Sequence, residues 1–191
     1  MLQHIIPSKA RRKILEFFFH RPGQTFYLRK ITREINEEVN AVKRELDILF
    51  DEKLLLKEKR LNKVFYILNK NYQFYDEFLR IFTKTTFLSV SLFQKRTSLG
   101  KIKFIAISTK FAKNITIKED EIYILFVGVV VVPEVEGLIK EAEKTFGRSI
   151  NYTVMTEDEL AFRKKNNDPF LWGFLKQPKF MIIGEESELM K

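Results

Sequence analysis

Residues 8–55 read SKARRKILEFFFHRPGQTFYLRKITREINEEVNAVKRELDILFDEKLL, and residues 57–69 continue KEKRLNKVFYILN. Apolar residues in the first stretch recur at helical spacing. Ser8 can cap a helix whose apolar face is Ala10, Ile14, Leu15, Phe17 and Phe18, and which ends before Arg21-Pro22-Gly23. A second helix is predicted from Leu28 to Ile35, with Leu28, Ile31 and Ile35 facing inward. A third runs from about Val39 to Asp51 with Val39, Val42, Leu46 and Leu49 inward. That leaves Asn40, Lys43, Arg44 and Asp47 on other faces. Leu54 to Lys57 and Val64 to Leu68 are strand-like, joined by a charged turn near Lys59, Arg60, Leu61 and Asn62.

Three helices followed by a basic hairpin resemble the arsenic-repressor-type winged helix of bacterial and archaeal transcriptional regulators. FYLRKI leading into AVKRELDIL and DEKLL carries the likeness, which covers residues 8–70. The resemblance implies that the third helix enters the major groove of duplex DNA and that the hairpin, the wing, touches the backbone. Carried onto this chain, Asn40, Lys43 and Arg44 are the base-reading candidates, and Lys57, Lys59, Arg60 and Lys63 are the wing candidates. Tyr27, Arg29 and Lys30 could touch phosphate at the start of the second helix. A winged helix used only for protein contacts is the alternative, and Glu37, Glu38 and Glu45 beside the third helix speak for it by repelling phosphate.

Charge points the same way as the resemblance. The 191 residues carry 34 lysines and arginines against 25 acids, a net +9. Residues 1–72 hold 16 of these cations and 9 acids, and residues 73–191 hold 18 and 16. The excess that would attract phosphate is thus concentrated in the N-terminal third. The absence of cysteine excludes disulfides, thiolate catalysis and Cys-ligated zinc, and two histidines are too few for a metal cluster. The longest apolar run, Ile122 to Val132, is far shorter than the ~20 residues of a spanning helix. No secretory signal is recognisable, so a soluble, cytoplasmic protein without membrane contact is expected.

Residues 73–97 read as one connecting helix rich in Phe74, Tyr75, Phe78, Phe82, Phe87 and Phe93. Apolar residues on several of its faces suggest a homodimer, which paired DNA half-sites would also need. Burial between the domains of one chain is the alternative.

Residues 98–191 read as an α/β domain with strands at 101–107, about 121–127, 150–155 and 179–183. Pro133 opens a helix that ends at Gly147, Thr156 caps another with Glu159 completing the box, and Asp168 starts a short final one. The order, together with FGRSINYTVMTEDELAFRKKNNDPFLWGFLKQPKFMIIG, resembles the minimal nucleotidyltransferase domain over residues 85–184. The fold class expected for the whole chain is therefore α+β, with a mixed C-terminal sheet.

The resemblance implies a Gly-Ser after the first strand and two carboxylates one residue apart at the second, holding two metal ions. Here Thr109-Lys110 stands at the Gly-Ser, Glu121-Ile122-Tyr123 at the carboxylates and Asn151 near a third acidic position. Other registers pair Asp120 with Ile122, or Glu119 with Glu121. The expectation is a domain with no catalytic residues, metal or cofactor. It either only packs, or binds a nucleotide or other anion through Lys110 and Lys113. The function expected is a DNA-binding transcriptional regulator with a non-catalytic nucleotidyltransferase-like domain, for which a nucleotide or protein effector is a candidate partner. An active nucleotidyltransferase and an antitoxin-like interaction module are the alternatives.

Overall fold

The computed structural model describes residues 2–191 and divides into two compact units, one running to Thr85 and one from Thr86 to Lys191. The architecture is α+β in both.

In the first unit the order is α1 (Lys9–Phe19), β1 (Phe26–Tyr27), α2 (Leu28–Ile35), α3 (Val39–Asp51), β2 (Leu55–Arg60), β3 (Lys63–Leu68) and α4 (Tyr75–Thr83). Local chemistry places the helix ends. The Ser8 hydroxyl accepts from Arg11 N at 3.2 Å, satisfying one of the orphan donors at the start of α1. Asn36 closes α2 at φ 48°, a left-handed value that asparagine tolerates better than most side chains. Ile14, Phe18, Ile31, Val42 and Leu46 form the fully covered centre where the three helices meet. Val39, expected inward, is 44% exposed because it begins its helix beyond the edge of that core.

The short β1 is an element that the sequence pattern does not signal. It pairs antiparallel with β3, which in turn pairs with β2, giving the sheet order β1-β3-β2. The hairpin strands are longer than expected, so Lys59 and Arg60 lie in β2 and only Leu61 and Asn62 make the turn.

The predicted single helix over the aromatic segment is not formed. α4 ends at Thr83, and the second unit opens with α5 (Phe87–Gln94). The break has a chemical cause: the Thr86 hydroxyl accepts from Ser89 N at 3.3 Å and starts a new helix. Phe82 is fully buried and stacks on Phe19 at 5.2 Å, so this aromatic is core of the first unit.

The second unit continues with β4 (Gly100–Ser108), α6 (Thr109–Ala112), β5 (Ile124–Val130), α7 (Val132–Phe146), β6 (Tyr152–Met155), α8 (Glu157–Lys165), α9 (Pro169–Leu175), β7 (Lys179–Ile183) and α10 (Glu186–Met190). The sheet order is β6-β5-β4-β7, with β5 and β6 parallel and the other pairs antiparallel, which is the mixed sheet expected. One face packs Ile105, Ile107, Ile124 and Phe126 on α5 and α7 residues such as Leu88, Leu92 and Ile139. The other packs Phe104, Ala106, Leu125 and Val127 on Leu160, Leu171 and Phe174 of α8 and α9.

An irregularity between Ile102 and Phe104 bends the β4–β5 ladder. Gly128, at φ 136°, sits opposite it, where a Cβ would collide with the Lys101 carbonyl oxygen. β5 begins three residues later than the sequence suggests, α6 replaces part of a loop, and α10 follows the last strand without a signal in the pattern. Among the described residues no helix is long and apolar enough to cross a membrane.

Candidate nucleic-acid interface

The exposed side of α3 is set by what its other side buries. With Val42, Leu46 and Leu49 inward, Asn40, Lys43 and Arg44 share the opposite face and all three are exposed. Two of the acids that would repel phosphate from this helix, Glu37 and Glu45, are turned away from it. Glu45 lies against α1, where it accepts from Ser8 Oγ at 2.6 Å and from Arg11 Nε at 2.7 Å. Glu37 pairs with Lys13 at 2.7 Å and Lys9 at 2.9 Å, and these ammonium groups hold its carboxyl below the usual range. Glu38 remains at the N-terminus of α3 as its cap. The Asn40 and Ala41 backbone N–H groups lower its pKa, as expected at the positive end of a helix dipole.

Asp47 and Asp51 remain on the exposed face, and Lys57 answers Asp47. The Lys57 ammonium lies 2.6 Å from Asp47 Oδ1 and 4.1 Å from the centre of the Phe50 ring. Lys57, read as a wing phosphate contact, is thus held in a partly exposed ion pair that braces the wing against α3. Period-two alternation puts Lys57 on the same face of β2 as the buried Leu55, a signal available in the sequence.

The other wing cations are arranged differently. Lys59 is exposed next to the turn. Arg60 and Lys63 face each other across the ladder on the opposite face of the hairpin. Arg60 pairs with Glu58 at 2.6 Å and lies over Phe65, while Lys63 lies over the Tyr27 ring at 4.7 Å. Tyr27 in turn meets Phe65 edge-on at 5.8 Å, so it forms an aromatic platform under the wing cations. Arg29 is exposed near the start of α2, and Lys30 is tied to Glu34 at 2.6 Å.

In the second unit the residues read as a broken active centre do come together at the ends of β4 and β5. Ser108 caps α6 by accepting from Lys110 N at 3.2 Å. The Lys110 ammonium reaches Glu121 Oε1 at 2.5 Å, and Glu121 Oε2 accepts from Lys118 N at 3.1 Å. The lysine hydrogen bond is the main reason that the Glu121 carboxyl is held below its ordinary range. The structure therefore places Lys110 in an ion pair with Glu121. Lys113 is the residue that closes α6.

Tyr123 is not at the surface of this site. It is buried, its hydroxyl donates to Ile115 O at 3.0 Å, and its ring packs edge-on against Phe111 at 5.5 Å. Arg148 covers both rings and donates to Phe111 O at 2.7 Å. Beside Glu121 opens a cavity of about 460 Å³ lined by Asp120, Asp168, Phe170, Phe174 and Gln177 among others. Asp168 is occupied there, capping α9 through Leu171 N at 2.8 Å and pairing with Arg163 at 3.3 Å. Among the described residues no group of three carboxylates or imidazoles converges to hold a metal ion.

No protein-family model matches the chain, and no curated protein matches it in sequence. Among solved structures, one similar chain is a possible transcriptional regulator from Methanosarcina mazei Go1. It is 15% identical with a TM-score of 0.33, over 47% of this chain and 77% of that one. Another is human N-acetylserotonin methyltransferase in complex with SAM, 11% identical with a TM-score of 0.31, over 61% of this chain and 36% of that one. The chain thus spans about a third of the methyltransferase. Both likenesses are too loose to bear on fold or activity.

Proposed function

We propose that this chain is a cytoplasmic transcriptional regulator that binds duplex DNA through a winged helix and carries a nucleotidyltransferase-like domain without catalysis. The observation that carries the first part is the sorting of charge around α3. Glu37 and Glu45 are neutralised against α1, while Asn40, Lys43 and Arg44 face outward beside a wing bearing Lys59, Arg60 and Lys63. Amide and guanidinium groups on one helix face are also the groups that pair with adenine and guanine edges.

Titration of a fluorescent duplex at several salt concentrations tests this reading. The wild type should bind with a steep salt dependence. Replacing Lys59, Arg60 and Lys63 together by glutamine should weaken binding to all sequences. It should also flatten the salt dependence by up to ~0.9 for each phosphate that is no longer neutralised. Replacing Arg44 should change sequence preference instead. Unchanged behaviour in both variants refutes the surface.

The non-catalytic reading is supported by Lys110, whose ammonium occupies the Glu121 carboxylate, and by Tyr123, which belongs to the core. Labelled nucleoside triphosphate with Mg²⁺ or Mn²⁺ and candidate protein acceptors should yield no transfer. Transfer abolished by Glu121→Ala refutes this part.

A homodimer is also proposed. It cannot rest on Phe82, which the first unit buries, but Phe74 and Ile81 of the α4 region are 48% and 42% exposed. Light scattering that finds only monomer at high concentration refutes it.

A further inference from the structure

The tip of the wing is chemically odd. The hairpin turns on two residues, Leu61 and Asn62, between Arg60 and Lys63, which pair across the ladder. Leu61 adopts φ 50° and is 95% exposed. A leucine there is unfavourable on two counts. Left-handed φ suits glycine or asparagine, whose side chains are absent or can bond locally, and an isobutyl group gains nothing from standing in water. Glycine or asparagine is the ordinary choice for such a turn. Strain and exposed apolar surface kept together at one position point to a use outside the folded chain.

The surroundings restrict what that use is. Three cations, Lys59, Lys63 and the Glu58-paired Arg60, stand beside the leucine, so its target carries negative charge around an apolar slot. The minor groove of duplex DNA has that character, with phosphates along both rims and stacked bases at its floor. Apolar wedges that enter it part a base step and kink the duplex. We infer that Leu61 is such a wedge, inserted from the wing tip at a flexible pyrimidine–purine step while the neighbouring cations hold the rims. The inference rests on the DNA-binding reading and adds to it a bend and a preference at a position away from α3.

The test uses the full chain and a short duplex with donor and acceptor dyes at its ends, containing a TA step. Wild type should bind and shorten the end-to-end distance. Leu61→Asn should melt no lower than wild type, because it relieves the turn. It should keep the salt slope, bind about ten-fold more weakly or worse, and lose the bend. Leu61→Met should retain the bend. If Leu61→Asn binds and bends DNA as wild type does, the wedge is refuted while the DNA-binding reading stands. That same result would accompany a leucine that serves a protein partner. If wild type binds no duplex, both fall together.

Discussion

Replacing Asp47 by asparagine should strengthen DNA binding and make it more sensitive to salt. In the wild type the Asp47 carboxylate holds Lys57 at 2.6 Å, with the two side chains 44% and 28% exposed. A pair this open contributes only ~0.2–1 kcal/mol to stability, so the substitution should leave the fold intact. Its effect on binding is larger in kind. It removes one of the two aspartates on the exposed face of α3, leaving Asp51, and it frees the Lys57 ammonium for phosphate. Each phosphate neutralised adds about 0.9 to the slope of log K against log salt. One further phosphate therefore lowers affinity by an additional ~3.5-fold for every fourfold rise in salt, with the gain greatest at low salt. Anisotropy titrations over a salt series measure this directly. The double variant Asp47→Asn/Lys57→Gln should return the slope to the wild-type value, and Lys57→Gln alone should change it far less than Lys59→Gln does. A slope that is unchanged or shallower in Asp47→Asn would refute the idea that Lys57 is a neutralised brace.

Buried groups give two further outcomes. The His20 imidazole hydrogen-bonds to Phe82 O at 3.0 Å, and burial, helped by Arg21, holds its pKa below the ordinary 6.5 in spite of that bond. The folded chain then binds fewer protons than the unfolded one. Its contribution to stability is complete above pH 6.5 and is lost as pH falls from there through the lowered folded value. Thermal melts across this window should show the loss, and His20→Gln should flatten it. In the second unit, Tyr123→Phe should cost about 1 kcal/mol by leaving the Ile115 carbonyl oxygen without its donor, as denaturant unfolding would register. Tyr123→Asp should unfold the unit and not restore a metal site, because it buries a carboxylate under Phe111; a folded Tyr123→Asp protein of wild-type stability would contradict the core assignment.

The helices of the first unit are legible in the sequence because their causes are local. Ser8, the apolar spacing through Phe19, and the i, i+4, i+7 positions of Val42, Leu46 and Leu49 act within a few turns of chain, and α1, α2 and α3 start and stop where they indicate. The cap at Thr86 is equally local, yet the aromatic run on both sides of it suggests one helix. A continuous apolar pattern does not reveal that its two halves are buried in different cores. The basic tip of the wing is visible in the sequence; which of its cations are free is not. Glu45 next to Arg11, Lys57 on Asp47 and Lys110 on Glu121 are pairs made between elements. Composition counts each of those charges as available, and only the packing of helix on helix and strand on helix decides which of them cancel. Tyr123 shows the same limit: position in the chain aligns it with a surface carboxylate, but the ring's apolar area and the Ile115 carbonyl draw it into the core. Period and capping are written along the chain. Which charges remain exposed depends on contacts between residues far apart in sequence, and those exist only once the chain has folded.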